Sequence, residues 1–145
     1  MTRLEVVYDA RSWLGTPYLH QARLRGVGSD CIGMIGGIAR DRGTPEGLAW
    51  AQDREMRSYG RIPNPRTLLE GVERYLDRIA VAEVTLADII LMRFRDDPQH
   101  FALISALSPD YIIHASSSAK EVVENRLDDK WRSRIVRAYR YRGIA

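Results

Sequence analysis

The chain has 145 residues, 45% of them hydrophobic and 28% charged, a balance that fits one domain with a core of its own and asks for no second domain. A formal net charge of +3 without a clustered basic stripe argues against a nucleic-acid binder. No apolar run is long enough for a signal peptide or a membrane span, so synthesis in the cytoplasm without an export signal is expected.

In chain order, Leu4, Val7, Ala10 and Leu14 mark one face of a first helix that Gly15-Thr16-Pro17 stops. A loop from Tyr18 to Ser29 follows, with Gly26 and Gly28 as pivots. The next helix is expected from Cys31 to about Arg42, with Ser29 or Asp30 as its N-cap. Gly33, Gly36 and Gly37 on that helix imply close packing against its backbone, a role a sheet could fill. Residues 43–63 give mixed signals, with turn residues around a short helix at Leu48 to Met56. Asn64 as N-cap and Pro65 at N1 then open an amphipathic helix carrying Leu68, Leu69, Val72, Tyr75, Leu76 and Ile79. Beyond residue 85 the period becomes that of strands, expected at Asp88–Arg95, His100–Ala106, Tyr111–Ala115, Lys120–Arg126 and Ile135–Tyr141. Helices first and strands after give an α+β class, with N-terminal helices packed on a five- to six-stranded antiparallel sheet. The arginines Arg132, Arg134, Arg137, Arg140 and Arg142 read as a solvated edge strand guarded by charge, or as a patch for an anionic surface.

Cys31 is the only cysteine and so has no disulfide partner within the chain. It stands in the first helical turn, where unpaired backbone N–H groups favour negative charge; such a place can lower a thiol from about 8.5 into the range of roughly 3.5–7.5. A buried structural cysteine is the plain alternative. Two histidines fall in the strands, His100 opening one and His114 near the end of the next, with Ser108-Pro109-Asp110 as the turn signal between them. Direct pairing of His100 with His114 also pairs Ala102 with Ile112 and Ile104 with Asp110, and leaves Ser105 to Pro109 as the loop. That register puts both imidazoles on one face, and a cysteine helix packed on that face would complete a nucleophile, a base and the group that orients it. A zinc ion held by Cys31, His100 and His114 is the rival, weakened by the absence of any CxxC or HExxH spacing.

Several stretches together resemble the NlpC/P60 cysteine peptidases that cleave peptidoglycan stem peptides, and within them the small phage and gene-transfer-agent cell wall peptidases. They are Gly15-Thr-Pro-Tyr18-Leu-His20-Gln21, Gly26-Val-Gly28-Ser-Asp30-Cys31-Ile-Gly33, Ala87-Asp88-Ile-Ile-Leu, Gln99-His100-Phe-Ala-Leu-Ile104 and Tyr111-Ile-Ile-His114-Ala115. The resemblance implies a papain-like NlpC/P60 fold across residues 1–145, with Cys31 as nucleophile, His100 as base, His114 as third polar member and Tyr18 beside the oxyanion site. His20, Gln21 and Asp30 are the expected substrate contacts. It further implies cleavage of the bond between D-γ-glutamyl and the following diamino acid, with no metal or cofactor. The expected setting is a virion or phage-like tail particle, with tail or baseplate proteins as partners. Two departures stand out: Ile32 where many members carry serine, and Leu86-Ala87-Asp88 where the family has Pro-Gly-Asp. A tail-tip structural protein without activity, or a thiol acyltransferase using the same residues, are the alternatives.

Overall fold

The computed structural model describes residues 1–57, 64–94 and 97–145. Its helices are α1 (Arg3–Arg11), α2 (Cys31–Asp41), α3 (Pro45–Gln52), α4 (Pro65–Glu73) and the short α5 (Asp129–Arg132). The strands are β1 (Arg23–Leu24), β2 (Gly28–Ser29), β3 (Leu76–Ile79), β4 (Ile89–Phe94), β5 (Asp97–Ala106), β6 (Tyr111–Ser116), β7 (Glu121–Arg126) and β8 (Ile135–Tyr141). A six-stranded sheet runs in the order β3-β8-β4-β5-β6-β7, and every neighbouring pair is antiparallel. The α+β expectation holds. The turn residues expected at 59–63 and the strand end at Arg95 lie outside the described residues.

Local chemistry accounts for most helix boundaries. Thr2 and Glu5 form a reciprocal capping box on α1, and Thr44 with Pro45 starts α3. That start sits ahead of the expected Leu48, and α3 ends at Gln52 rather than Met56. The buried face of α1 is Val6, Val7 and Ala10; Leu4 is 72% exposed and Leu14 lies past the helix end, so the expected face was rotated. Asn64 caps α4 as expected, but the helix stops at Glu73, and Leu76–Ile79 leaves it to pair with β8 as the sixth strand. Helical spacing at Leu76 and Ile79 could not register a partner strand that lies sixty residues further on, roughly the separation that Leu76↔Tyr141 spans. With β3 outside it, β8 is an interior strand, not the guarded edge the arginines suggested.

One face of the sheet, with Ile89, Leu91, Phe101, Leu103, Ile113 and Ala115, receives α2 together with α1 and α4. Ile32, Met34, Ile35 and Ile38 of α2 are each at most 3% exposed. Such side chains contribute about 1.5–3 kcal/mol apiece on burial. The close neighbours of the α2 glycines are not the sheet. Trp50 lies against Gly36, Trp13 against Gly37, and a Cβ on Gly33 would come within 2.0 Å of the Ala22 carbonyl oxygen. The opposite face is a smaller cluster, Ile90, Met92, Ala102, Ile104, Ile112 and Leu127, against which Val84, Trp131 and Ile135 pack.

The segment after α1 carries the sheet round to the start of α2. Gly15 N–H donates to the Val122 carbonyl and Tyr18 N–H to that of Lys120, each at 2.9 Å, so residues 15–18 line the outer side of β7. Ser29 N–H in turn donates to the Pro17 carbonyl at 2.9 Å, and β2 pairs with β1 as a small hairpin within the expected loop. Cys31 follows β2 directly.

Candidate active site

Asp30 fixes the helix start on which the thiol sits. Its carboxylate accepts from the Gly33 N–H at 2.7 Å and from the Gln21 N–H at 2.8 Å, which ties the first turn of α2 to the loop ahead of it. Gln21 takes part through its backbone, at φ 65°, in the left-handed region that a non-glycine residue holds only when its surroundings require it. His20 stands partly exposed over the same carboxylate, Nδ1 to Oδ2 at 4.0 Å. His20, Gln21, Asp30 and Cys31 thus form one rim.

The thiol is 9% exposed. Burial, followed by the negative charge of Asp30, pushes it up to about 12; the backbone N–H groups of Phe101, Ile32 and Cys31 itself act in the other direction. Here the expectation of a low thiol is corrected: desolvation outweighs the helix N-terminus. The Phe101 contact also locates the sulfur, because that N–H belongs to the peptide directly after His100. Tyr18 packs against the same cluster, and its phenol is pushed up to about 12 by burial and then by charge at Cys31 and Asp30.

The strands explain how the thiol reaches that peptide. β5 and β6 pair from Leu103↔Ile113 to Ala106↔Tyr111 and no further, whereas β4 keeps β5 as far as Asp97 and β7 keeps β6 as far as Ser116. The ladder between the two central strands therefore ends short of His100, and the thiol at the start of α2 lies against the Phe101 N–H beside it. The expected register is corrected by two residues: Ile104 faces Ile112, not Asp110, and a bulge separates Ile104 from Ala106. A slip of two keeps both imidazoles on one face, where a slip of one would have separated them.

The rings do meet. His100 Nε2 and His114 Nδ1 are 2.7 Å apart, with ring planes at 87° and centroids 4.9 Å apart. They occupy the face opposite the one α2 covers, because they alternate with Phe101, Ile113 and Ala115; the expectation of a helix-facing pair is corrected. Burial and then the neighbouring His114 pull His100 down to about 3, and burial lowers His114, which is 2% exposed. Thiol and imidazoles are accordingly neutral in the unliganded protein around pH 7.

Two further residues complete the site. Asn125 Oδ1 lies 2.8 Å from His114 Nε2, and the Trp131 ring stands edge-on to His114 with centroids 5.5 Å apart. Asn125 was legible in principle, since the β6–β7 hairpin puts it opposite Ile112, diagonal to His114 and on the same face. Trp131 comes from a short helix that no periodicity reveals. Among the described residues no group of three His, Cys, Asp or Glu side chains is arranged to hold a metal ion. Nor is any helix among them long and apolar enough to cross a membrane. The arginines of the C-terminal run are ion-paired: Arg132 with Asp110, Arg137 with Glu73, Arg140 with Asp88 and Arg142 with Asp77, while Arg134 lies over the Trp131 ring.

No family model matches the sequence, and no curated protein does. Solved structures do match. The chain is similar to the NlpC/p60 domain of the peptidoglycan hydrolase SagA, with 18% identity and a TM-score of 0.61 over 97% of this chain and 99% of that one. NlpC2 from Trichomonas vaginalis is similar at 14% identity and a TM-score of 0.64, over 96% of this chain and 46% of that one. The peptidoglycan hydrolase RipB from Mycobacterium tuberculosis is similar at 18% identity and a TM-score of 0.60, over 95% of this chain and 64% of RipB. The chain has the NlpC/P60 fold, and it spans less than two thirds of the latter two proteins.

Proposed function

We propose that the protein is a cysteine endopeptidase that cleaves peptidoglycan stem peptides at the bond between D-γ-glutamyl and the following diamino acid. The observation that carries this reading is the hydrogen-bonded pair His100 and His114, taken with the contact of the Cys31 thiol on the Phe101 N–H, which belongs to the peptide directly after His100. The peptidoglycan hydrolases among the structural neighbours and the motif resemblance around Cys31 support the substrate class.

Cys31 Sγ attacks the amide carbonyl as its proton passes to His100, so that the ion pair forms during attack and need not pre-exist. The Cys31 N–H and the Tyr18 hydroxyl hold the oxyanion. His100 returns its proton to the departing amine, then takes one from water as that water cleaves the thioester and restores the thiol. His114 keeps the His100 ring in place. Substrate contacts fall to His20 and Gln21, braced by Asp30. On the resemblance to phage and gene-transfer-agent peptidases we place the protein in a phage-like tail particle with tail or baseplate proteins as neighbours.

Purified protein incubated with muropeptides and followed by mass spectrometry is expected to release fragments cut after D-γ-glutamate, and Cys31→Ala none. Intact muropeptides with the parent protein would sink the reading, as would inactivation by a chelator reversed by zinc. Adducts formed with an added amine in place of hydrolysis would make the protein an acyltransferase.

A further inference from the structure

We infer that Asn125 is a positioning residue that selects, through His114, which nitrogen of His100 is basic. The inference deepens the proposed function and rests on it for its kinetic arm alone. The geometry is a line of three side chains: Asn125 Oδ1 to His114 Nε2 at 2.8 Å, then His114 Nδ1 to His100 Nε2 at 2.7 Å.

A neutral imidazole has one N–H and one lone pair, so each hydrogen bond in such a line dictates the next. With the amide oxygen towards His114, Nε2–H of His114 donates to Asn125, and Nδ1 of His114 accepts from Nε2–H of His100. The nitrogen of His100 left with a lone pair is then Nδ1, the one not engaged by His114, and His100 can take a proton. Turning the amide by half a revolution reverses every bond. The Asn125 amide would donate to His114 Nε2, His114 Nδ1–H would donate to His100 Nε2, and His100 Nδ1 would already carry its proton. Such an imidazole cannot act as the base for Cys31. The orientation of one amide therefore separates a competent site from an incompetent one.

Among the described residues, neither of the other two neighbours of the His114 ring makes that choice. Trp131 meets the ring at 64°, and its indole has a donor but no acceptor to offer Nε2. Val123, which faces His114 across the ladder, is apolar. Asn125 is exposed on its outer side, so without it the position against Nε2 falls to water, which donates as readily as it accepts.

The test is the tautomeric state of the imidazoles, read from long-range ¹H–¹⁵N correlations of uniformly labelled protein near pH 8. The parent protein is expected to show His114 and His100 both as Nε2–H tautomers. Asn125→Leu should give averaged ring shifts at His114 and a kcat on muropeptides about ten-fold lower with KM unchanged. Asn125→Asp, which can only accept from His114, should restore the tautomers and bring kcat back to within a few-fold of the parent. A Nδ1–H tautomer at His114 in the parent protein overturns the inference, as do unchanged shifts and kcat in Asn125→Leu, or failure of Asn125→Asp to restore either. The expected tautomers in a protein inert towards muropeptides would sink the proposed function and leave the inference standing. Thermal denaturation of both variants identifies any that has merely unfolded.

Discussion

Opposing influences meet at the sulfur of Cys31. The helix start and the Phe101 N–H favour a thiolate, burial and Asp30 oppose it, and the opposing side is larger. The position was legible in the sequence because a lone cysteine behind an Asp cap marks a helix N-terminus; its depth was not, because the covering residues Tyr18 and Phe101 belong to other elements. Iodoacetamide is therefore expected to label the unliganded protein slowly at pH 7, with a rate that keeps rising well above the 8.5 of a free thiol. A rate already constant below pH 7 would show a pre-formed thiolate–imidazolium pair and refute that balance. At His114 the demand is for an acceptor facing His100 Nε2. His114→Gln retains one and should keep kcat on muropeptides within about ten-fold, whereas His114→Ala should lose about 10², at the lower end of what general acid–base catalysis contributes. Equal losses in the two variants would mean that His114 serves only to fill space.

Among elements, strands were read more accurately than their pairing. Ile135–Tyr141 was placed to the residue, yet the β5–β6 register was missed by two because a bulge next to Ser105 leaves no mark on the alternation of side chains. The same limit applies to α4, where four residues can carry helical and strand spacing at once, and the partner strand β8 decides between them. The arginines of β8 turn out to fasten elements together. Asp88, at 0% exposure, receives Arg140 at 2.8 and 2.7 Å and Arg3 at 3.0 Å, joining β8 and α1 to the start of β4. Removing one partner of a buried pair leaves the remaining charges uncompensated and costs about 3–5 kcal/mol. Asp88→Ala should lose about that much in urea unfolding. Arg142 pairs with an Asp77 side chain that is 61% exposed, so Arg142→Ala should lose no more than about 1 kcal/mol. Similar midpoints for the two variants would refute the ranking.

Over the whole molecule, the buried groups of the site define the pH range in which the fold is most stable. His100 titrates near 3 when folded against about 6.5 when unfolded, and His114 is lowered as well. Between those values the unfolded chain binds protons that the folded chain refuses, so stability present above about pH 6.5 is lost as pH falls towards 3. Cys31 shifts in the opposite sense, to about 12 from about 9, so the unfolded chain gives up its proton first and stability is lost as pH rises from about 9 towards 12. Tyr18, raised to about 12 from 10.0, adds to the alkaline loss. Urea midpoints measured from pH 4 to 10.5 should describe a plateau between about 6.5 and 9 with a fall on either side. Cys31→Ala removes one alkaline group and no acidic one, so it should flatten the fall above pH 9 and leave the acid limb where it was. A midpoint that instead rises between about pH 6.5 and 9 in the parent and not in Cys31→Ala would mean that the folded protein holds Cys31 as a thiolate, and attack would then begin from an ion pair.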